Sequence, residues 1–519
     1  MTERPRLSAL QEFLVFSAVL VALSAFSQTA PSSNRAPASS PASKVPPRSA
    51  LQSKPCARCI RAEMDFLASD ALRGRGSGTS DELVAATYVA SQLEQYGVEP
   101  AGTDGTFIQR APVEHQTVTA PPQLHFMTPG DGIPAQSILW THGKEMLILN
   151  LVDTNFKGPL QRVHLDRHGP ALQETAFHRG YPQGEQSQKT APGAVVLILG
   201  KDDRKVRAAA VAAADTGAAA VLIPAPRDSL QDWDERGKQL PKLPKKLEGV
   251  PTPPALGGNL NLFALSKEAL ASLNEIPDGT TMYFEATATA PEKTSTWNTV
   301  GKISGSDPQL RNSVILLSAH LDHLGIGPPV NGDSIYNGAD DDASGTIAVL
   351  ELARALASGP KPKRTVMLAF FGSEEEGGLG SSWFEQHSPV PVDQIAVDLE
   401  LEMIGRPDPK YPKDALWLSG WGRSNLGPAL AAHGANLVPD ARPSEHFFQR
   451  SDNYVLAKQG VVAQTASSFG LHLDYHQPSD DVAHIDFQHM NAVISSLITA
   501  VEWLANSNFK PEWKPGGRP

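Results

Sequence analysis

From residue 297 onward, short apolar runs alternate with amphipathic stretches of helical period. The runs are NTVGKIS, VILLSA, TVMLAFF, QIAVDLELEM, ALWLSG and VVAQTA. Polar residues or turn formers bound each run, as expected for strands buried on both faces. Helices are predicted between them over 344–357, 380–387, 424–434, 452–458 and 486–506. Alternating β and α with apolar strands predicts an α/β fold: a doubly wound, mostly parallel mixed sheet with helices on both faces. Ligands of such sheets bind outside the carboxyl ends of the strands.

The pattern differs upstream. IRAEMDFLASD predicts an amphipathic helix and ALRGRGSGTS a loop. Thr79 and Glu82 have capping-box spacing, with Leu83, Ala86, Ala90 and Leu93 on one face of the following helix. Gly97 ends that helix. From 111 to 290 the apolar runs are β-type: MLILNLV, AVVLILG and AVLIP. VRAAAVAAADTGAAA reads as a helix between the last two, and Arg204, Lys205, Arg207 and Asp215 exclude a membrane span there. The reading is a β-rich module at 111–290, inserted into a discontinuous domain of 56–110 and 291–508, with a tail at 509–519.

Arg4 and Arg6 precede the apolar run from Phe13 to Phe26, which is short for a bilayer. Residues 1–28 are therefore expected to be a signal peptide, placing the protein in the periplasm or outside the cell. An uncleaved anchor is the alternative; after cleavage no stable membrane insertion is expected. Residues 29–55 are rich in Pro, Ser and Ala and predict a disordered linker. The chain's two cysteines, Cys56 and Cys59, suggest a local disulfide.

At 519 residues the chain exceeds one ordinary core. A net charge of −11 argues against nucleic acid or an anionic membrane as the main partner.

The candidate chemistry sits at the strand ends. His320 ends VILLSA, and Asp322 follows two residues on. Asp340, Asp341 and Asp342 open the helix at 344–357. Glu374, Glu375 and Glu376 follow TVMLAFF, Glu402 ends QIAVDLELEM, and His476 follows VVAQTA in LDYHQPSDD. Singly, each is an ordinary surface or capping residue. Together they place imidazole and carboxylate at one edge of one sheet, the donor set of a catalytic divalent-metal site.

AHLDHLG, YNGADDDASG, FFGSEEEGGLGS, LELEMIG and YHQPSDD, in that order, resemble the motifs of the co-catalytic di-zinc peptidases of the bacterial leucyl-aminopeptidase type. That family also contains glutamate carboxypeptidases and glutaminyl cyclases. The likeness covers 297–506, and FLASDALRGRGSGTSDELVAATYVASQLEQYGVEPAG resembles the same peptidases' amino-terminal helices. GAVVLILG and DTGAAAVLI resemble an inserted protease-associated domain. The resemblance implies two Zn2+, with other divalent transition metals accepted. It implies His320 and Glu402 as ligands of the first metal, Glu375 and His476 of the second, and Asp341 as the bridge. Asp322 would fix the His320 tautomer, Glu374 would be the general base, and Tyr475 would stabilise the oxyanion. The peptide between Asp340 and Asp341 would be cis. Glu402 stands where the family more often has aspartate; Glu376 offers a 375/376 assignment of base and ligand, but the spacing to Gly380 and Ser381 favours 374/375. His323 and His472 carry no ligand role in the resemblance. The implied activity is a metallo-aminopeptidase acting on peptide substrates. A carboxypeptidase or dipeptidase of the same family, or a non-catalytic peptidase-like binding protein, are the alternatives.

Overall fold

The computed structural model describes residues 54–127, 137–165, 190–226, 230, 232–250 and 260–519. The expected signal peptide and nearly all of the expected linker lie outside the described residues.

The run from Val314 is uninterrupted by polar residues because both faces of its strand are covered. Val314–His320 (β3) is buried at every position. Ile315, Leu317 and Ala319 join one core with the helices Ala57–Leu67, Ser80–Tyr96, Gly345–Ser358 and Phe487–Asn506. Val314 and Leu316 join a second core with Phe384, Leu456 and Ala457 from the helices Leu379–Gln386 and Asn453–Gln459. Period-2 alternation thus sends each apolar residue to one of two helical layers.

Ile108–His115 (β1), Glu292–Ile303 (β2), Val366–Phe371 (β4), Ile395–Leu401 (β5), Leu416–Leu418 (β6), Leu437–Pro439 (β7) and Val462–Ser467 (β8) complete most of this sheet. Among the described residues the order is β7-β6-β8-β5-β3-β4-β2-β1, with Lys246–Leu247 beyond β1 and Glu99–Pro100 against β2. β3 is parallel to both neighbours, with Ser318 opposite Ala369 and Glu400. β5 and β8 are parallel, as are β6 and β7. The flanks β4–β2, β2–β1 and β6–β8 are antiparallel. The sheet is therefore mixed: parallel through β8-β5-β3-β4 and at the β6–β7 edge, antiparallel elsewhere. Parallel neighbours require long crossovers, and β3 to β4 is crossed by the helix Gly345–Ser358.

A second sheet has the order Ser137–Thr141, Gln123–Met127, Thr281–Glu285, Asn155–His164, Val195–Leu199, Ala220–Pro224, Leu262–Leu265, Met146–Asn150. The boundary expected at 111 falls inside β1, because Val113 and its neighbours pair with the large-sheet strand Glu292–Ile303. Lys246–Leu247 also returns to the large sheet, with Leu247 opposite Val113. The predicted alanine-rich helix spans Asp203–Asp215 and stops before Gly217, whose φ is +83°.

Cys56 and Cys59 form a disulfide at the start of Ala57–Leu67, and the Cys56 N–H donates to the buried Glu351 carboxylate. The Thr79 hydroxyl caps Asp81 and Glu82, but Glu82 reaches back to the Gly78 N–H rather than to Thr79. One element was unread: Gly325–Val330 and Asp333–Tyr336 pair as a hairpin around Asn331-Gly332. Both turn residues have positive φ, +51° and +90°, which is the Asn-Gly hairpin signal.

Candidate metal centre

The centre is assembled at the carboxyl edge of β3, β4 and β5. β3 delivers His320, and the loop after β4 delivers Glu374 and Glu375. The residue after β5 is Glu402. The segment Ala339–Ser344 lies between Gly338, with φ +60°, and Gly345, and delivers Asp341. His476, with φ +57°, comes from the loop after β8.

All five residues expected as ligands converge. The Asp341 Oδ1 oxygen is 3.2 Å from His320 Nε2. Its Oδ2 oxygen is 3.2 Å from His476 Nε2, which is also 3.2 Å from Glu375 Oε2. Donor atoms of His320, Asp341 and Glu402 lie within 4.8 Å of one another. The same is true of His323, Asp341 and Glu375.

The residues fit a metal. The ring nitrogens of His320 and the Nε2 of His476 are buried without a hydrogen-bond partner. Unpaired buried polar atoms are costly unless something else satisfies them. The 3.2 Å separations match neighbouring ligands around an ion bonded at about 2.0–2.1 Å in tetrahedral geometry. One carboxylate with each oxygen facing a different imidazole is the arrangement a bridging ligand needs.

The aspartate run divides its work through backbone contacts. The N–H groups of Asp340 and Asp341 donate to the Asp480 carboxylate at 3.0 Å each. Asp342 accepts from the N–H groups of Gly345 at 3.0 Å and Met403 at 2.9 Å. Asp340 accepts from the Gly405 N–H at 2.7 Å and lies 3.1 Å from His472 Nε2. The cis peptide joins Asp341 to Asp342, one residue later than expected. The N–H of the Asp340–Asp341 peptide and that of the peptide before it instead share the Asp480 carboxylate.

Asp322 does more than face the imidazole. It lies 3.6 Å from His320 Nδ1, beyond a good hydrogen bond. It accepts at 3.0 Å from the Glu374 N–H and at 3.4 Å from the Glu375 N–H. The Ser77 hydroxyl also donates to it. One buried carboxylate thus sets the glutamate loop relative to His320.

The three glutamates separate. Burial and the field of Asp341 push the Glu375 carboxyl up, but hydrogen bonds from His323 and His476 outweigh them and hold it at about 2. Burial pushes Glu374 well above the ordinary carboxylate value; His320 opposes this and Asp452 and Glu375 add to it. Glu376 pairs instead with Lys245, 3.3 Å away. Geometry therefore points Glu375 into the cluster and Glu376 out of it. Burial, then Glu400, raise Glu402 to about 8. Burial would lower His476, yet Asp341 and Glu375 raise it to about 10. Tyr475 stacks on His476 with ring centroids 3.8 Å apart, and burial keeps its phenol protonated.

Arg75 was read as loop and is a structural keystone. Its guanidinium is buried and donates to the carbonyls of Leu67, Leu321, Asn337 and Gly338. These carbonyls flank His323 and Asp341, so the guanidinium ties the amino-terminal helices to both ligand loops. Arg75→Met should keep most of the volume and strand four buried acceptors. The expected destabilisation is about 3–5 kcal/mol, read as a lower unfolding midpoint in denaturant; an unchanged midpoint would refute it. Asp480 and Ser77 were also missed, and His323, read from sequence as a non-ligand lying behind the ligands or at the surface, is buried inside the cluster. HLDHLG carried the signal for His323, and the SDD run carried it for Asp480.

The profile of Peptidase family M28 matches residues 298–501. An aminopeptidase of Pseudomonas aeruginosa is 35% identical over 118 residues, 22% of this chain and 20% of that protein. A probable leucine aminopeptidase 2 of Aspergillus oryzae is 33% identical over 236 residues, 40% of this chain and 44% of that protein. The chain thus spans less than half the length of these curated relatives. The solved aminopeptidase from Aneurinibacillus sp. strain AM-1 shares the fold, with TM-score 0.52 and 18% identity over 90% of this chain and 97% of that one. The stretch that matches the Peptidase family M28 profile, residues 298–501, carries all five converging metal-ligand candidates.

Proposed function

We propose that the protein is a metal-dependent exopeptidase that removes amino-terminal residues from peptides. The observation that carries this is Asp341, whose two oxygens each face a different buried imidazole at 3.2 Å. In this reading His320, Asp341 and Glu402 would hold one Zn2+, and Glu375, Asp341 and His476 would hold a second. Bound there, the metals would polarise the scissile carbonyl and acidify the attacking water. Glu374, beside the cluster but outside its hydrogen-bonded ligands, takes the proton of that water and passes it to the leaving amine. Tyr475, protonated beside His476, donates to the developing oxyanion. Asp322 keeps the base and the ligand loop in register.

The arginines do not separate amino-terminal from carboxyl-terminal cleavage: two of the three near the site are engaged by carboxylates, while Arg450 lies over the Phe447 ring and acts electrostatically on Tyr475. A free carboxylate needs free guanidinium groups near the metals. Arg406 is engaged by Asp474 at 2.7 Å, and Arg442 pairs with Asp408.

The reading is tested with an aminoacyl chromogenic amide, its N-acetylated analogue and an amino-blocked peptide. The expected result is release from the free-amine substrate alone, lost on chelation and restored by Zn2+. Chelator-insensitive hydrolysis would overturn the metal mechanism. Cleavage of the amino-blocked peptide from its carboxyl end would establish the carboxypeptidase alternative.

A further inference from the structure

His323 lies inside the cluster without a part in the mechanism above. Its side chain is fully buried. Its Nδ1 is 2.7 Å from Glu375 Oε1 and 3.9 Å from Asp341 Oδ2. Two roles fit such a residue: a further metal ligand, or a hydrogen-bond donor to a ligand.

The distances choose between them. Donor atoms sharing one tetrahedral ion at about 2.0–2.1 Å sit about 3.3 Å apart. His476 Nε2 meets Glu375 Oε2 and Asp341 Oδ2 at 3.2 Å, as shared ligands would. His323 meets the other Glu375 oxygen at 2.7 Å, the length of a charge-assisted N–H···O bond. The two oxygens of Glu375 are therefore claimed by different imidazoles at different distances.

The ring has a built seat. A Cβ on Gly338 would lie 2.5 Å from its Cγ, so glycine is what leaves room for it. Its backbone N–H donates to the Arg75 carbonyl at 3.1 Å, and its carbonyl accepts from the Ser77 N–H. Its ring meets that of His476 edge to face, with centroids 5.7 Å apart.

We propose that His323 is a positioning residue: its Nδ1–H holds Glu375 Oε1, so that Oε2 alone faces the second metal. The inference rests on the two-metal reading above. A one-oxygen ligand leaves more of that ion's coordination shell for water and the substrate amine than a two-oxygen ligand does. A hydrogen-bonded outer partner of a metal ligand is worth about 10–100-fold in metal affinity.

The test is competition titration of the metal-stripped protein with Zn2+, and with Co2+ followed by its visible absorption. Wild type should bind two ions. His323→Ala should hold one ion as wild type does and the other about 10–100-fold more weakly. His323→Asn, which keeps a side-chain N–H donor, should restore the weaker site to near the wild-type affinity. Fewer than two ions on wild type would overturn the two-metal reading and this inference with it. Two ions on wild type with unchanged affinities in His323→Ala would overturn this inference alone. So would a Co2+ spectrum altered in both variants with no recovery by Asn, which would mark His323 as a ligand. If the alanine variant does not fold, the asparagine variant decides: loss of its second ion refutes positioning by hydrogen bond.

Discussion

Glu374→Gln should lower kcat by about 10²–10⁴-fold while two metals per chain remain bound. The substitution keeps the shape of the side chain and removes its ability to accept and hold a proton. The expectation rests on the contrast between adjacent carboxyls. Glu375 is held at about 2 by His323 and His476, so it stays ionised as a ligand must. Burial drives Glu374 well above the ordinary carboxylate value, with Asp452 and Glu375 adding to the shift and His320 opposing it. Environments that push neighbouring titratable groups apart mark them for different jobs. The measurement is steady-state turnover beside metal analysis of the same preparation. Retained turnover would remove Glu374 from the mechanism. Lost turnover with lost metal would make it a ligand instead.

Asp341→Asn should be as damaging by another route. Metal content should fall below two ions per chain, and activity should fall with it. The native carboxylate offers one oxygen to the His320 side and one to the His476 side. Asparagine keeps one oxygen and turns a nitrogen donor toward the other imidazole, so at most one metal position retains its ligand. The charge lost also matters, because burial alone would raise Asp341 and the two histidines hold it well below the carboxylate range. Metal analysis after dialysis checks this. Two tightly bound ions in the variant would show that Asp341 is not a bridge. The two substitutions are thus separable: one should stop turnover with the metals in place, and the other should release metal first.

Much of the site was legible because its residues are tied to strand ends. An apolar run fixes where a strand stops, and the polar residue that follows it must lie at the sheet's carboxyl edge. That logic alone placed His320, Glu374, Glu375 and Glu402 on one edge. His476 is different. It sits in a loop, and only the ordered likeness of YHQPSDD to a peptidase motif assigned it. The three glutamates were separated only by the likeness and by the spacing to Gly380 and Ser381, since nothing in EEE itself says which side chain faces inward. The structure does so by engaging Glu376 with Lys245, which directly precedes the large-sheet strand Lys246–Leu247, and Glu375 with two histidines.

What the sequence determined by itself is whatever depends on neighbours along the chain. The β/α alternation, the helix bounds after 344, the disulfide pair and the motif order are of this kind. Tertiary structure decided whatever depends on partners far apart in the chain. Arg75 lies in a glycine-rich stretch with no periodicity, yet its partners span Leu67 to Gly338. Asp480 organises a segment that begins at Ala339. The antiparallel flanks of the sheet, and the return of Lys246–Leu247 to it, come from pairings that no local pattern encodes. His323 is the sharpest case. Three residues from His320, it reads from sequence as either a residue behind the ligands or a surface one, and only the approach of Glu375 and Gly338 decides between them. The physical reason is the same throughout. Burial and period are written into adjacent residues, but a charge buried in the fold is defined by whichever distant group satisfies it.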